Sequence, residues 1–492
     1  MHKDHEARLP AAFPEEISRR GAAVRWLSLF SSALLFSACA FVPPPEIPET
    51  VDVISAAPGY STNPRVKNGV SADQLLWWRK IGGAELASWV TRLKQHNFEL
   101  AEARERVVQA NEFAKQARSG RLPRVSGDLG ASRNRTSDLF GKFDWGDQYS
   151  AGLGASLDTD IFGGLRAAER SAILSAEAAR LNYIATEQRS IEALARAWVG
   201  AAAQGSRLAL ARENAESFRV TYNLTDERHR AGSANTTASD VLIARQNLDA
   251  ALAEIPAVEA QFSAQLLAID QQLAHTPGTI ARTFKGEMSV SPRMTVPVGF
   301  PAALLTARPD VAAAELSYRS ALQDVGTARA DLLPKLSLNA SLSFQNENAA
   351  DLFDLDRYIA NLAASLTQPV FQGGLLQSRL RVEKSRAREL STAYARIALN
   401  AFSQVETALV RQSGAQQQLE QLQKTLLTAE DSNRLVQDRY RQGLQPMLAV
   451  LETQRGLNSA KQNIIATEQA LLEARIALHL SLGGSWFGAT PD

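Results

Sequence analysis

The chain has 492 residues, and its 53 Lys and Arg residues almost balance its 52 Asp and Glu residues. No basic stripe interleaved with aromatic side chains occurs, so the charge pattern argues against nucleic acid as a partner. The one cysteine, Cys39, excludes an internal disulfide. The absence of any run of about 18 apolar residues argues against a transmembrane helix.

The amino terminus has the pattern of a bacterial export signal. Three arginines precede an apolar run over 26–36, and two small residues follow it. The sequence Leu-Phe-Ser-Ala-Cys that ends at Cys39 resembles a lipobox, in which the cysteine becomes the lipidated first residue. We therefore predict a lipoprotein signal peptide over 1–38, and Ala40 resembles the residue that directs lipoproteins to the outer membrane. The alternative is an ordinary signal peptide followed by an incidental cysteine.

The segment that follows this signal indicates extended chain and then helix. Residues 39–75 are rich in proline and have no periodicity, which predicts an extended segment. Apolar and small residues then recur at helical spacing over 85–96 and 98–120. Pro123 ends the second of these helices, because proline disfavours helix at the residue before it.

Four stretches alternate apolar and polar residues, namely 125–134, 148–162, 335–345 and 357–371. In the third, Leu, Ala and Phe at even positions alternate with Ser, Asn and Gln at odd positions. Such a strand has one apolar and one polar face. Each stretch has about 10 residues or slightly more, the length of a tilted strand that crosses a bilayer.

The loops between these strands contain aromatic residues. They cover 133–147 and 346–356, and we expect both loops to face outside. Their aromatic side chains either narrow the external mouth of a pore or lie at the lipid interface. The sequence leaves both alternatives open.

The chain also repeats itself. Leu122-Pro123 recurs as Leu333-Pro334, and Gly164-Leu165 recurs as Gly374-Leu375. Many matches in one order indicate an internal duplication. We predict a first repeat over 76–274, a linker over 275–307, a second repeat over 308–482 and a tail over 483–492. Each repeat has the order helix, strand, strand, long helix, turn, long helix.

Each repeat ends in a long helical hairpin, predicted over 165–274 and 375–482. The first helix of each hairpin is a long segment without proline. At about 1.5 Å per residue, each of these helices spans roughly 100 Å. Pro256 interrupts the first return helix and predicts a kink there.

Four strands are too few to close a barrel, for which about eight is the practical minimum. An open sheet in lipid would leave the hydrogen-bonding groups of both edge strands unpaired. If these strands cross a membrane, several copies of the chain must therefore assemble.

Several short motifs, together with the lipobox, occur in one order along the chain. They are Trp77-Trp78-Arg79, Arg308-Pro309-Asp310-Val311, Leu333-Pro334, Phe371-Gln372-Gly373-Gly374 and Leu482-Gly483-Gly484. In this order the motifs resemble those of TolC-type outer-membrane factors, in particular the lipidated OprM/NodT-like branch.

The resemblance implies a mixed α/β membrane protein that forms a homotrimer. Each chain is expected to give four strands to a 12-stranded β-barrel, which a long periplasmic α-helical barrel continues. The family implies a passive conduit of a tripartite efflux system in the outer-membrane lipid. Its expected partners are a periplasmic adaptor and an inner-membrane transporter of the resistance–nodulation–division class. The expected cargo is drugs, metals or signals.

Other functions remain alternatives. The same fold can serve a protein-secretion system, and a non-conducting periplasmic structural lipoprotein is a rival from another class. An enzyme has no support, because the six histidines are scattered and no catalytic, metal or cofactor motif occurs. The glycines at 163–164 and 373–374 superficially suggest a phosphate loop, but a hinge between strand and helix explains them better.

The turns of the two hairpins, 228–240 and 439–452, are the candidate functional sites. By resemblance they meet the adaptor, and the predicted contact residues are Arg228, Arg230, Gly232, Arg439, Arg441 and Gly443. Asp240 and Glu452 lie near family positions where acidic residues ring the periplasmic constriction, which predicts a gate. The alternative is that both acids stabilise the amino-terminal ends of helices.

Overall fold

The computed structural model describes residues 76–137, 141, 143–233, 236–288 and 308–483, together with a few positions between 43 and 52. The predicted signal peptide, the lipidation site Cys39 and most of the Pro-rich segment 39–75 lie outside the described residues. So do much of the linker 275–307 and the tail after residue 483.

The elements follow the order predicted for a duplicated chain. They are α1 (Trp78–His96), α2 (Phe98–Ser119), β1 (Arg124–Ser137), β2 (Phe143–Thr159), α3 (Gly164–Arg230), α4 (Ala238–Gln272), α5 (Pro309–Ala330), β3 (Lys335–Asn346), β4 (Tyr358–Thr367), α6 (Leu375–Arg441) and α7 (Met447–Ser481). Short 3-10 helices cover Ile280–Arg282 and Ala349–Asp351. None of the described helices is both long and apolar enough to cross a membrane.

Three strands differ from the prediction at their ends. β1 continues to Ser137, beyond its predicted end at 134. β2 begins at Phe143 rather than 148, because its pairing with β1 continues to Ser137. It also ends before residues 160–162, where the Asp160 carboxylate accepts hydrogen bonds from the first N–H groups of α3. β4 ends at Thr367, so residues 368–371, which were predicted to be strand, lie outside it. Pro369 lies in that segment and has no N–H to donate to a ladder.

Two helices also differ from the prediction or leave it open. α1 begins at Trp78 rather than 85, although its helical backbone is interrupted at Gly82 and Gly83. α4 continues through Pro256, and the kink expected there stays a prediction.

The four strands form one antiparallel sheet in the order β1-β2-β3-β4. The register keeps the two faces distinct, since Leu342 lies opposite Leu153 and Ala360, whereas Ser341 lies opposite Gly154 and Asn361. Odd positions of β1 and β2 and even positions of β3 and β4 thus form the apolar face. The described residues leave much of this face uncovered: Leu129 and Leu362 are 79% and 83% exposed.

The chain divides into two compact units, and neither coincides with one repeat. The first unit contains the four strands and the adjoining parts of α2, α3, α5 and α6, within Asn111–Ser175 and Tyr318–Glu389. The second contains α1, α4, α7 and the remaining parts of the other helices. Each repeat therefore contributes to both units.

An aromatic cluster forms the largest core of the second unit. Trp77, Trp89 and Trp198 are among its buried side chains, and the Phe284 ring packs against it. The Trp198 indole donates a hydrogen bond to the Glu85 carboxylate at 2.9 Å, which fixes the polar edge of the ring. These residues thus have a structural role.

The Arg-Pro-Asp motif at the start of α5 also has a structural role. The Arg308 guanidinium donates to both carboxylate oxygens of Asp310, at 3.0 and 2.7 Å, and to the Ser481 carbonyl at the end of α7. Burial raises the pKa of Asp310, but the hydrogen bonds and charge of Arg308 outweigh burial and lower this pKa below its usual value. The motif therefore joins the first and last helices of the second repeat.

Candidate functional site at the helical turns

A glycine stops each long helix at the predicted turn. Gly232 after α3 and Gly443 after α6 have φ angles of +72° and +79°, the left-handed region that favours glycine. In both turns the N–H of the next residue donates to the carbonyl five residues earlier, at 3.1 and 2.9 Å. This is the Schellman arrangement, and it explains both glycines by structure.

A buried contact joins the ends of α3 and α6. The Arg228 guanidinium lies 4.6 Å from the centre of the Tyr440 ring and donates to the Arg441 carbonyl at 2.6 Å. The Tyr440 hydroxyl lies 3.0 Å from Thr225 Oγ1. Because Thr225 gives its own proton to the Thr221 carbonyl at 2.7 Å, Tyr440 is the donor to Thr225. We call Thr225, Arg228 and Tyr440 the turn link.

The turn link packs on a core that contains all four hairpin helices. This cluster includes Phe218 of α3, Leu248 of α4, Tyr440 of α6 and Leu451 of α7. A cavity of about 230 Å³ lies beside Tyr440. The two hairpins of one chain thus meet through an apolar core that also carries polar contacts. These include the turn link and the hydrogen bond that Gln454 of α7 donates to the Thr221 hydroxyl of α3 at 2.8 Å.

The other predicted contact residues lie on the surface. Arg230 pairs with Asp226 at 2.8 Å and Arg441 pairs with Asp438 at 3.2 Å, but both arginine side chains are more than half exposed. Arg439 is exposed as well. Exposed leucines accompany these cations, with Leu444 being 69% exposed. The turns therefore present a mixed cationic and apolar surface.

The two predicted gate acids occupy different environments. Asp240 forms a capping box with Thr237: its carboxylate accepts from the Thr237 N–H at 2.8 Å, and its own N–H donates to the Thr237 hydroxyl at 3.2 Å. Glu452 is exposed, beyond the first turn of α7. The helix-stabilising alternative therefore describes Asp240 well and does not describe Glu452.

Sequence reasoning missed Thr225 and Tyr440. Tyr440 occupies the position that matches His229 in the other repeat, between two arginines. This difference between the repeats, tyrosine in place of histidine, was the sequence signal that could have identified Tyr440. A contact between residues 215 positions apart has no local pattern that would identify its partner.

The glycines after β2 do not form an anion site. A Cβ at Gly164 would lie 2.8 Å from the Ala330 Cβ, so close packing of α3 against α5 accounts for that glycine. The N–H groups of Leu165 and Arg166 are bound by Asp160 and are not open to a phosphate. Among the residues that the structure describes, no group of three or more His, Cys, Asp or Glu side chains is arranged to hold a metal ion.

Curated relatives cover nearly the whole chain. The pyoverdine export outer membrane protein OpmQ of Pseudomonas aeruginosa is 32% identical over 468 residues, which are 94% of this chain and 97% of the relative. The toluene efflux pump outer membrane protein TtgC of Pseudomonas putida is 27% identical and covers 94% of this chain and 96% of its own length. The cation efflux system protein CusC of Escherichia coli K12 is 25% identical over 79% of this chain and 84% of its own length.

Solved structures share the fold. The Campylobacter jejuni CmeC outer membrane channel has a TM-score of 0.82 at 20% identity and covers 91% of this chain and 95% of its own. The open state of the Neisseria gonorrhoeae MtrE outer membrane channel has a TM-score of 0.79 at 22% identity, with 90% and 98% covered. The fold class predicted from the sequence, that of a TolC-type channel subunit with four strands and long helical hairpins, is confirmed.

The family follows from a match to most of the chain. The profile of the family described as outer membrane efflux protein matches residues 89–275 and 301–484, one segment in each repeat. The predicted function in efflux across the outer membrane is confirmed by this match and by the relatives. The chain belongs to the outer membrane efflux protein family and is an outer-membrane channel component of an efflux system.

Proposed function

We propose that three copies of this chain close into one conduit. Their sheets would form a 12-stranded barrel, four strands from each copy. The division of all four strands into one apolar and one polar face carries this proposal. Within one copy, β1 and β4 are edge strands, and lipid offers no hydrogen bonds to their outer groups. The number three comes from the likeness to TolC-type channels.

The long hairpins would continue the pore through the periplasm, and their turns would meet a periplasmic adaptor. The exposed cations Arg230, Arg439 and Arg441 and the exposed Leu444 support this surface as a docking site. An inner-membrane transporter of the resistance–nodulation–division class would supply the energy. A lipid on Cys39 would anchor each copy in the outer membrane, with acyl chains contributing about 0.8 kcal/mol per buried CH₂.

The cargo would be small molecules chosen by the transporter. The relatives bear names that refer to pyoverdine, toluene and cations, which share little chemistry. A conduit with such different relatives does not need to recognise its cargo. The 32% identity to a pyoverdine export protein makes pyoverdine the first cargo to test.

The gate would lie at the turns. Opening requires the hairpin ends to separate, and the turn link opposes that movement between α3 and α6. Asp240 and Glu452 remain the proposed acidic residues of the constriction, where three copies of each would repel one another unless cations bind. Asp240 also caps α4, so its replacement would remove both the helix cap and the proposed gate carboxylate. Glu452 lies beyond the first turn of α7, so its replacement would remove the proposed gate carboxylate alone.

The conduit is tested with the full-length lipidated protein in planar bilayers. We expect discrete ion-conducting steps from a heat-stable trimer, and altered cation selectivity when Asp240 and Glu452 are both replaced by alanine. Capture from native membranes should recover an adaptor and a transporter, whereas a secretion apparatus would favour the protein-secretion alternative. A lone soluble chain that never passes ions, or attachment to the cell wall alone, would contradict the proposal.

A further inference from the structure

Two arginines lie on the apolar face of the sheet. β1 contains Arg124, Arg133 and Arg135. Arg133 and Arg135 are at odd positions, like Val125 and Leu129, whereas Arg124 is at an even position with the polar face. Hydration alone would favour the polar face for all three, so the placement of Arg133 and Arg135 requires another partner.

Aromatic rings accompany both arginines. The Arg133 guanidinium carbon lies 5.9 Å from the centre of the Trp145 ring, and that of Arg135 lies 5.0 Å from the centre of the Phe143 ring. Both rings are more than half exposed, at 58% for Trp145 and 61% for Phe143. Each cation is thus backed by a ring, while its other side faces outward.

The local charge is positive. Arg133 Nε lies 3.4 Å from Asp147 Oδ1, and the Arg133 side chain is still 68% exposed. Within the described part of the chain, Arg135 contacts no carboxylate. Among the described residues at this end of the apolar face, one carboxylate therefore faces two guanidinium groups. The remaining guanidinium N–H donors are available to an anionic partner.

This pair lies within a belt of aromatic residues. The apolar face carries its aromatic side chains near the hairpin ends of the strands, at Phe143, Trp145, Tyr149, Phe344 and Tyr358. At the other end, where the helices attach, the same face has Val125, Leu157 and Leu366, and the strand cations Arg124 and Lys335 occupy polar-face positions. Aromatic belts mark the interface between hydrocarbon and headgroups in membrane barrels.

We propose that Arg133 and Arg135 bind the phosphate groups of outer-leaflet lipid. This inference rests on the proposed function, which sets the apolar face against lipid and the β1–β2 hairpin towards the outside. The planar guanidinium matches a phosphate through paired N–H donors, and the acyl chains of the same lipid cover the leucines below. The continuous apolar surface beside the arginines favours a lipid phosphate over a free one. An assembled trimer would carry three such sites.

The site is tested on the detergent-solubilised trimer by native mass spectrometry. The probes are lipid A, a diphosphorylated glycolipid, the same lipid without its phosphates, and inorganic phosphate. We expect the wild-type protein to prefer lipid A, and the R133Q/R135Q variant to bind it about 10-fold more weakly, because each basic group near a headgroup contributes measurably to binding. The matched control R124Q changes a cation on the polar face of the same strand and should bind as the wild type does.

The outcomes separate the lipid site from the conduit. Equal binding of phosphorylated and dephosphorylated lipid by the wild-type protein overturns the site without any variant, as does an unchanged affinity in R133Q/R135Q. If that variant fails to form trimers, R133K/R135K keeps the charges and should bind lipid A between the two extremes. Conductance is measured on the same preparations. If the wild-type protein conducts ions but shows no preference for lipid A, the lipid site is wrong and the conduit stands. If the wild-type protein forms no channels, the conduit is wrong as well.

Discussion

The turn link joins the ends of α3 and α6 through three side chains. Thr225 and Tyr440 are buried, and the Thr225 hydroxyl accepts from Tyr440 while it donates to the Thr221 carbonyl. Arg228 adds a cation over the ring and a hydrogen bond to the carbonyl of the next residue after Tyr440. Such contacts contribute about 1 to 2 kcal/mol together, enough to bias a closed state without making it permanent.

Replacing Arg228 by alanine should therefore raise the fraction of time that the channel is open. The variant R228A loses both the ring contact and the bond to the Arg441 carbonyl. A loss of about 1 kcal/mol corresponds to a change of about fivefold in the ratio of open to closed states. Single-channel recording in planar bilayers measures this ratio directly.

Arg230 provides the matched control for this substitution. It lies two residues further along α3, and its side chain is 78% exposed and pairs only locally with Asp226. The variant R230A removes the same charge from the same turn and should leave the open fraction unchanged. Equal effects of R228A and R230A would mean that the net charge of the turn, rather than the link, controls opening.

At the scale of elements, the two return helices begin by different means. α4 starts with the capping box of Thr237 and Asp240, whereas Pro446 precedes α7 and contributes no side-chain cap. A capping box occupies N–H groups that a helix start cannot satisfy internally. The first turn of α4 therefore depends on one threonine, and that of α7 does not.

The variant T237A should loosen the first turn of α4. Loss of a threonine cap costs about 1 kcal/mol, which corresponds to about fivefold faster exchange of the amide hydrogens in that turn. Hydrogen exchange of residues 238–242, followed by mass spectrometry, measures this effect. S239A, at an exposed position in the same turn, is the control, and equal exchange in both variants would show that the box is dispensable.

Much of the element order could be predicted because its signals are local. Alternation fixes a strand and its faces, and long proline-free segments fix α3 and α6. The strand ends were less accessible: Asp144 and Gly146 give no apolar alternation, yet both belong to β2 because they pair with β1. For the same reason Arg135 was assigned to a loop, so its position on the apolar face was not predicted.

The site was only partly predictable, because its contacts are not local. The turns and their glycines follow from helix termination, which nearby residues determine. The link between α3 and α6 depends on how two helices from different repeats pack, and a single sequence carries no record of that. Asp240 had two possible roles, and only the positions of the Thr237 atoms distinguish the cap from a free acid.

At the scale of the molecule, neither repeat forms a compact unit on its own. Each compact unit draws on both repeats. Some ion pairs also join helices of different repeats, such as Lys461 of α7 with Glu213 of α3 at 2.7 Å. Duplication thus supplies two copies of each element, and each compact unit combines parts of both copies. The sheet requires partners beyond one chain, because much of its apolar face and its edges have no cover within the described residues.

A pair of adjacent substitutions tests which face of the sheet meets lipid. Leu362 lies on the apolar face in the middle of β4, opposite Ala340, and Asn361 lies next to it on the polar face, opposite Ser341. An arginine at a lipid-facing position near the membrane centre costs about 2 to 4 kcal/mol, whereas the same residue facing a pore remains hydrated. L362R should therefore reduce the amount of heat-stable trimer in the outer-membrane fraction. N361R should assemble normally and shift the ion selectivity of the channel towards anions, because three added cations would line the lumen. Equal assembly of the two variants, or a selectivity change in L362R alone, would show that the assignment of the faces is reversed or that the sheet does not span the membrane.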